Sequence, residues 1–216
     1  MKVLFIGNSF TFFNDLPAML ETLSGGAISY GKVLRGGAYL KWFADEAHEL
    51  GVQVREKAQE KWDAVILQDQ SFNPAKNRDD CVAQTKVLAS LFPETPVYMY
   101  QTWAYRDGSE KLAKTGLSYD EMKEKLYDAY NAAAEAVGGK RVPVGFGFAE
   151  VKKTAPEIDL YCDDDYHPSP AGTYLAACLF YMALTGDDCG TLPGIDALDE
   201  DTVKLLKSAA KAVAGT

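Results

Sequence analysis

Only two histidines, His48 and His167, occur in this sequence, so chemistry that needs an imidazole has two places to happen. The four cysteines, Cys81, Cys162, Cys178 and Cys189, make no C-x-x-C pair and no zinc-like spacing, and they read as buried thiols rather than ligands. Basic residues are in deficit, 22 against 31 acidic for a net charge of −9, and no Lys/Arg cluster stands out, so no nucleic-acid partner is expected. Long apolar runs are missing too. Val3 to Ile6 is four residues long before Gly7-Asn8-Ser9, too short for a signal-peptide core or a membrane span. No membrane partner is expected, and the chain as given reads as cytoplasmic. There is no internal repeat, low-complexity run or linker, so residues 1–216 read as a single domain, whose length neither requires nor forbids a dimer.

What is present is an alternation. Short apolar runs at Val3 to Ile6, Ser29 to Leu34, Ala64 to Leu67, Val97 to Tyr100 and Val142 to Val144 are strand-length, and each is followed by polar or glycine-rich residues. Between them, Asp15 to Ser24, Tyr39 to Lys61, Arg78 to Leu91 and Ser118 to Val137 are rich in Ala, Leu, Glu and Lys and read as helices. A further helix-like stretch runs from Leu198 to Ala214. Strand alternating with helix predicts an α/β fold, a parallel sheet of about five strands covered by helices on both faces. In such sheets ligands bind beyond the carboxyl ends of the strands, so those ends are where chemistry is sought. The irregular stretch Tyr105 to Leu117 is expected to be a mobile loop over the site.

The first strand ends in Gly7-Asn8-Ser9-Phe10-Thr11. A serine directly after a buried strand can present both its hydroxyl and its backbone N–H at the sheet edge, which makes Ser9 a candidate nucleophile; the same residues also suit a helix cap. The pattern is neither G-x-S-x-G nor a phosphate loop. Gly36-Gly37 after the second strand allows a backbone N–H to approach an oxyanion, or simply makes a turn. Gln68-Asp69-Gln70-Ser71-Phe72-Asn73 after the third offers carboxamide donors, and Trp103 after the fourth is either a substrate-stacking ring or a core residue.

Near the C-terminus, Asp163-Asp164-Asp165-Tyr166-His167-Pro168-Ser169-Pro170 places a carboxylate three residues before a histidine. Asp164 can fold back onto Nδ1–H of His167, fix its tautomer and leave Nε2 free to take a proton. Ser169 can cap and Pro170 can open the next helix, keeping His167 on an ordered loop. The acidic run could instead hold a hard cation with Asn8 and His167, as in a metal-dependent phosphoesterase, and Cys162 lies close enough in sequence to be weighed as a nucleophile. His48, in Ala47-His48-Glu49, reads as a surface or boundary residue on a helix.

Taken together, Gly7-Asn8-Ser9-Phe10-Thr11, the glycines after the second strand and Asp164-x-x-His167-Pro168-Ser169 resemble the SGNH (GDSL-like) hydrolase superfamily over residues 3 to about 185. Asn8 stands where Asp is usual in the Gly-Asp-Ser-Leu form, as in a divergent esterase branch. The resemblance implies a three-layer α/β/α sandwich with a flavodoxin-like sheet and no cofactor or metal. It implies a serine esterase acting on short acyl esters, acetyl being favoured, with an O-acetylated carbohydrate as the example substrate. By the same resemblance Ser9 is the nucleophile, His167 the general base and then acid, and Asp164 its orienting partner. Ser9 N–H and Gly37 N–H are oxyanion donors. The superfamily's Gly-x-Asn-Asp block is missing. Gln68 is the first choice for its third donor, since Gln-x-x-Ser is similar to the Gln-Gly-Glu-Ser of sialate and acetylxylan esterases, with Gln70 and Asn73 as the others. Gln70 and Trp103 are the expected substrate-binding residues. A carbohydrate-binding domain that kept the fold and lost turnover is the rival reading.

Overall fold

The structure, a computed structural model, describes residues 1–216. In chain order its elements are β1 (Lys2–Gly7), α1 (Ser9–Phe12), α2 (Leu16–Leu23), β2 (Ser29–Leu34), α3 (Leu40–Ala44), α4 (Glu49–Lys57), β3 (Ala64–Leu67) and α5 (Asn73–Lys76). There follow α6 (Arg78–Ser90), β4 (Val97–Tyr100), α7 (Glu110–Ala113), α8 (Tyr119–Glu135), β5 (Lys140–Val142), α9 (Val144–Thr154), α10 (Pro170–Thr185) and α11 (Glu200–Val213). The five strands are all parallel in the order β2-β1-β3-β4-β5. That is the flavodoxin-like order, whose switch point lies between β1 and β3. Helices α2, α9, α10 and α11 pack on one another on one side of the sheet, and α3, α4, α6 and α8 on the other.

Layering explains the strand sequences. Val3-Leu4-Phe5-Ile6, Ala64-Val65-Ile66-Leu67 and Val97-Tyr98-Met99-Tyr100 are buried at every position, because helices on both faces leave neither side to water. The edge strands are different: Ser29 and Lys32 of β2 and Lys140 of β5 reach solvent. Helix α10 is buried without interruption from Ala171 to Phe180, and the amphipathic α11 lays Val203, Leu206, Ala210 and Val213 against α9 and α10. Ser169 Oγ accepts the Gly172 N–H at 3.2 Å to cap α10, and Pro170 is its first residue. No helix is long and apolar enough to cross a membrane.

Three elements differ from the sequence expectation. The Tyr39 to Lys61 helix is broken in two: Asp45 turns extended and accepts the Ala47 N–H at 2.9 Å, and His48 Nδ1 then accepts the Leu50 N–H at 3.2 Å as the cap of α4. His48 is thus a helix cap, stacked on Trp42 with ring centroids 5.6 Å apart. The last strand is Lys140–Val142, and Pro143 hands the chain to α9 at Val144. The stretch Tyr105 to Leu117 contains α7 and is pinned rather than loose, since Arg106 N–H donates to Asp165 O at 2.8 Å and Arg106 pairs with Asp159 and Asp165.

The break between α3 and α4 depends on Gly51, where a methyl would lie 1.7 Å from the Asp45 carbonyl oxygen. Gly51→Ala is therefore expected to cost about 2–3 kcal/mol, read as a fall in Tm of roughly 4–12 °C in a thermal melt. Gly215→Ala, with open space around it, is expected to leave Tm unchanged. Equal Tm values for the two variants would contradict this account of the kink.

Candidate active site

Strand β1 delivers Ser9 to the carboxyl edge of the sheet, at the switch point. Gly7, its last residue, has no room for a side chain, since a Cβ there would sit 2.7 Å from Gln68 Oε1 and 2.9 Å from Thr11 Oγ1. Asn8 then caps α1: its Oδ1 accepts the Phe10 N–H at 3.2 Å. The same side chain donates from Nδ2 to Ala38 O at 3.0 Å and Asp69 O at 3.1 Å. Asn8 therefore ties the end of β1 to the turns after β2 and β3. A carboxylate at this position would have no proton to give those two carbonyls.

The His167 loop comes from the far end of the chain. His167 Nε2 lies 2.7 Å from Ser9 Oγ across 158 residues of sequence, and Nδ1 lies 2.6 Å from Asp164 Oδ2. The other Asp164 oxygen accepts the His167 N–H at 3.0 Å and the Tyr166 N–H at 3.3 Å. A carboxylate can only accept, so Nδ1 carries the proton in this pair and Nε2 is the free base facing Ser9. Burial pushes the Asp164 carboxyl up, but hydrogen bonds from the His167 ring and from the two N–H groups outweigh it and hold the group below its ordinary value.

Several contacts fix the loop. Cys162 N–H donates to His167 O at 2.9 Å and Ser169 N–H to Leu160 O at 2.9 Å, while Asn14 Nδ2 donates to Pro168 O at 2.9 Å and Thr173 Oγ1 at 2.8 Å. The Phe13 ring stacks on the imidazole with centroids 3.9 Å apart and planes 2° from parallel, and Tyr166 covers it at 4.0 Å. His167 is only 8% exposed. Of its three aspartates, Asp165 turns to Arg106 at 2.7 Å, Asp164 serves His167, and Asp163 faces solvent. They diverge, and no group of three or more His, Cys, Asp or Glu side chains is placed to share a metal ion. Burial, with Asp164 and Asp163 adding to it, pushes the Cys162 thiol up, away from the thiolate a nucleophile needs.

The turns beside Ser9 sort the other sequence candidates. Ser9 N–H and Gly37 N–H have no acceptor within the chain, and Gly37 adopts φ +68°, a conformation glycine takes without strain. Gln68 is fully buried. Its Oε1 accepts from Asn8 N–H at 2.9 Å and Thr11 Oγ1 at 3.0 Å, and its Nε2 donates to Asn8 Oδ1 at 2.9 Å and to Asp69 O. With both protons engaged, Gln68 is an internal brace and not the oxyanion donor first expected. Asn73 is also committed, its Nδ2 donating to Asp69 Oδ2 at 2.7 Å and Asp80 Oδ2 at 3.4 Å. Gln70 is half-buried. Its Oε1 accepts Phe72 N–H at 2.9 Å and Asn73 N–H at 3.0 Å, and its Nε2 gives one proton to Ser71 Oγ at 3.1 Å, leaving the other uncommitted. Trp103 corrects a second expectation. It is 0% exposed, sandwiched between Phe10 at 4.5 Å and Phe148 at 4.0 Å, and its Nε1 donates to Tyr166 O at 3.0 Å. It supports the histidine loop from beneath and offers no face to a substrate.

Sequence reasoning assigned no role to Asp69. Its Oδ1 accepts the N–H of Leu40 at 2.8 Å and of Gln70 at 2.7 Å, so one buried carboxyl holds the turns after β2 and β3 together. Burial raises its pKa, and the hydrogen bonds from Asn73, Leu40 and Gln70 work against that rise. A lone acid between two glutamines after a strand was the available signal.

No protein-family model and no curated protein sequence matches the chain. Among solved structures, a protein of Slackia heliotrinireducens assigned provisionally to the SGNH hydrolases is 30% identical, with a TM-score of 0.72 over 83% of this chain and 96% of that one. The chain belongs to the SGNH hydrolases. As a member it is an ester-hydrolysing enzyme. A DUF4886 family protein of Bacteroides uniformis shares the fold at TM-score 0.83 and 24% identity, covering 98% of this chain and 93% of its own. An acetyl-xylooligosaccharide esterase of Geobacillus, solved as a variant, shares it at TM-score 0.63 and 17% identity over 85% of this chain and 94% of its own. In this SGNH hydrolase the turns after β1, β2 and β3 are joined through Asn8, Gln68 and Asp69.

Two outcomes are expected. Asn8→Asp sets a carboxylate against Ala38 O and Asp69 O and should cost about 2–4 kcal/mol near neutral pH, measured by denaturant unfolding; wild-type stability would refute the role given to its amide. For Asp164 the folded-state pKa is lowered, so its contribution to stability is present above the ordinary value of 3.8 and lost as pH falls below it. The stability gap between the wild type and Asp164→Ala is expected to begin narrowing as pH falls below about 4 and to go on narrowing towards the lower folded-state value, and a gap that stays constant to about pH 3 would contradict the pairing.

Proposed function

We propose that this SGNH hydrolase is a serine esterase in which Ser9 is the nucleophile, His167 the general base and acid, and Asp164 the residue that orients and stabilises the imidazole. The observation that carries this reading is the unbroken hydrogen-bonded series Ser9 Oγ, His167 Nε2, His167 Nδ1, Asp164 Oδ2, with contacts of 2.7 and 2.6 Å. Ser9 Oγ forms a bond to the ester carbonyl carbon as its proton passes to His167 Nε2, and the Asp164 carboxylate stabilises the imidazolium. Ser9 N–H, Gly37 N–H and the free proton of Gln70 Nε2 hold the negative oxygen of the tetrahedral intermediate. Gln70 takes the place first given to Gln68 because it alone among the three candidate amides keeps an N–H uncommitted. The carbon–oxygen bond to the alcohol then breaks, and His167 returns the proton to the leaving oxygen. Water, deprotonated by His167, splits the acyl-enzyme to a carboxylic acid and regenerates Ser9.

The substrate we favour is a short acyl ester, acetyl above all, on a carbohydrate. A cavity of about 580 Å³ adjoins the oxyanion turns, and its wall is made of three aromatic rings and six polar or charged side chains, Gln70 among them. Such a wall suits hydroxyls and sugar faces and suits a hydrocarbon chain poorly. The Geobacillus relative of the same fold is an esterase of acetylated xylooligosaccharides.

With p-nitrophenyl acetate, Ser9→Ala and His167→Ala are expected each to lower kcat by about 10³-fold or more, and Gln70→Ala by about 10²-fold. A fluorophosphonate should label the wild type and not Ser9→Ala. Failure of the folded wild type to react with either reagent, together with binding of sugars, would make the chain a binding domain of the same fold.

A further inference from the structure

The cavity beside Ser9 carries a charge that the hydrolytic reaction does not require. Its position follows from hydrogen bonds already described. Tyr39 follows Ala38 and Gln70 follows Asp69, the two residues whose carbonyls accept from Asn8 Nδ2 at 3.0 and 3.1 Å. Across the cavity, Tyr105 bonds Ser71 Oγ through its hydroxyl at 2.8 Å, and its ring lies 5.6 Å from Tyr166, which in turn lies 4.0 Å from His167. The cavity is therefore walled by the turns that flank Ser9 and is separated from His167 by the Tyr105 and Tyr166 rings, and its volume of about 580 Å³ is far more than an acetyl group fills.

Two lysines, Lys41 and Lys76, line it. Neither has a carboxylate partner. Cations nearby on the surface are paired, Arg35 with Glu49, Arg78 with Asp128 and Arg106 with Asp165. The one acid in the wall, Asp80, is engaged by amides: Gln84 Nε2 donates to it at 3.0 Å and Asn73 Nδ2 at 3.4 Å. Lys41 Nζ lies over the Tyr39 ring at 5.1 Å. At the Tyr105 side a third lysine without a carboxylate, Lys111, sits 3.7 Å over Tyr166 and 5.7 Å from the Tyr105 centroid. In a chain of net charge −9, where acids outnumber bases by 31 to 22, Lys41 and Lys76 set two cations against the single Asp80 carboxylate of the wall, and Lys111 adds a third beside Tyr105, a local balance opposite in sign to the whole molecule.

We propose that this cavity receives the alcohol half of the ester and that this half is a negatively charged sugar, its anionic group held by Lys41 and Lys76 and its ring flanked by Tyr39 and Tyr105. Lysine ammonium groups act as mobile point charges, which suits an anion on a sugar whose orientation is set mainly by the aromatic walls. The Lys111 cation steers the same charge towards the opening. The assignment rests on the reading of Ser9 as the nucleophile for its chemistry, but binding at the cavity can be measured without turnover.

The test has two arms. In the first, kcat/KM is measured for an O-acetylated neutral hexoside, for its uronate counterpart and for its sugar-phosphate counterpart, in the wild type and in the Lys41→Gln/Lys76→Gln double variant. The wild type is expected to prefer one of the charged sugars by about tenfold or more, and the double variant to lose that preference, a charge-assisted hydrogen bond being worth about a factor of ten. Which charged sugar is preferred distinguishes a carboxylate from a phosphate. Lys86→Gln, on the exposed side of α6, serves as the control in which the ratio stays as in the wild type. In the second arm, the deacetylated charged and neutral sugars are titrated into Ser9→Ala and followed by NMR at the Tyr39 and Tyr105 resonances. Shifts with the charged sugar that vanish in Ser9→Ala/Lys41→Gln/Lys76→Gln support the site even if no ester is hydrolysed. Equal preference for neutral and charged esters in the first arm, or no charged-sugar binding in the second, overturns the proposal while leaving the hydrolysis of p-nitrophenyl acetate to judge the esterase reading on its own.

Discussion

The hydrogen bonds between Asn8, Gln68 and Asp69 are the constraint on which the rest of the site depends. They sit where three strand ends meet and where the surrounding layer is apolar, so each donor and acceptor there needs a partner inside the protein. Asn8 and Gln68 exchange two hydrogen bonds, backbone N–H to Oε1 and Nε2 to Oδ1, at 2.9 Å each. Asp69 adds the turn after β2 through Leu40 N–H. The backbone path at Ser9, the direction of the Gly37 N–H and the outward turn of Gln70 follow from that small network.

The imidazole is held by a different device, aromatic packing. Phe13 lies flat on His167, Tyr166 covers it, and Trp103 supports Tyr166 O from below while itself stacked between Phe10 and Phe148. These rings restrict the imidazole to the plane in which Nε2 meets Ser9, and they remove much of its contact with water.

Much of the fold is legible in the sequence, for a physical reason. Strands covered on both faces are continuous apolar runs, so β1, β3 and β4 stand out, and the Asp164 to His167 spacing is a local relation that one turn of chain satisfies. The break between α3 and α4 is less visible because the apolar stripe from Leu40 to Leu50 runs across it; the signals were the Asp45 turn, the His48 cap and Gly51, whose meaning depends on a carbonyl close by in space. The misassignment of Gln68 has the same origin. In an extended strand Gln68 and Gln70 would share one face, but the chain turns after β3, so Gln68 goes inward to Asn8, at the end of a different strand, while Gln70 stays half-buried. Trp103 misled for a related reason, since a large aromatic at a strand end suits a rim or a core, and only the α9 ring of Phe148 decides between them.

The span of 158 residues between Ser9 and His167 bears on how the molecule comes into being. Ser9 directly follows β1, whereas His167 is presented only once the following helix, α10, has been buried between its neighbours. During synthesis the serine hydroxyl therefore emerges long before the base that faces it, and the partial chain holds an unpartnered alcohol. The contact that brings the two together needs both β1 and α10 in place, so it reports that this layer of helices has closed on the sheet.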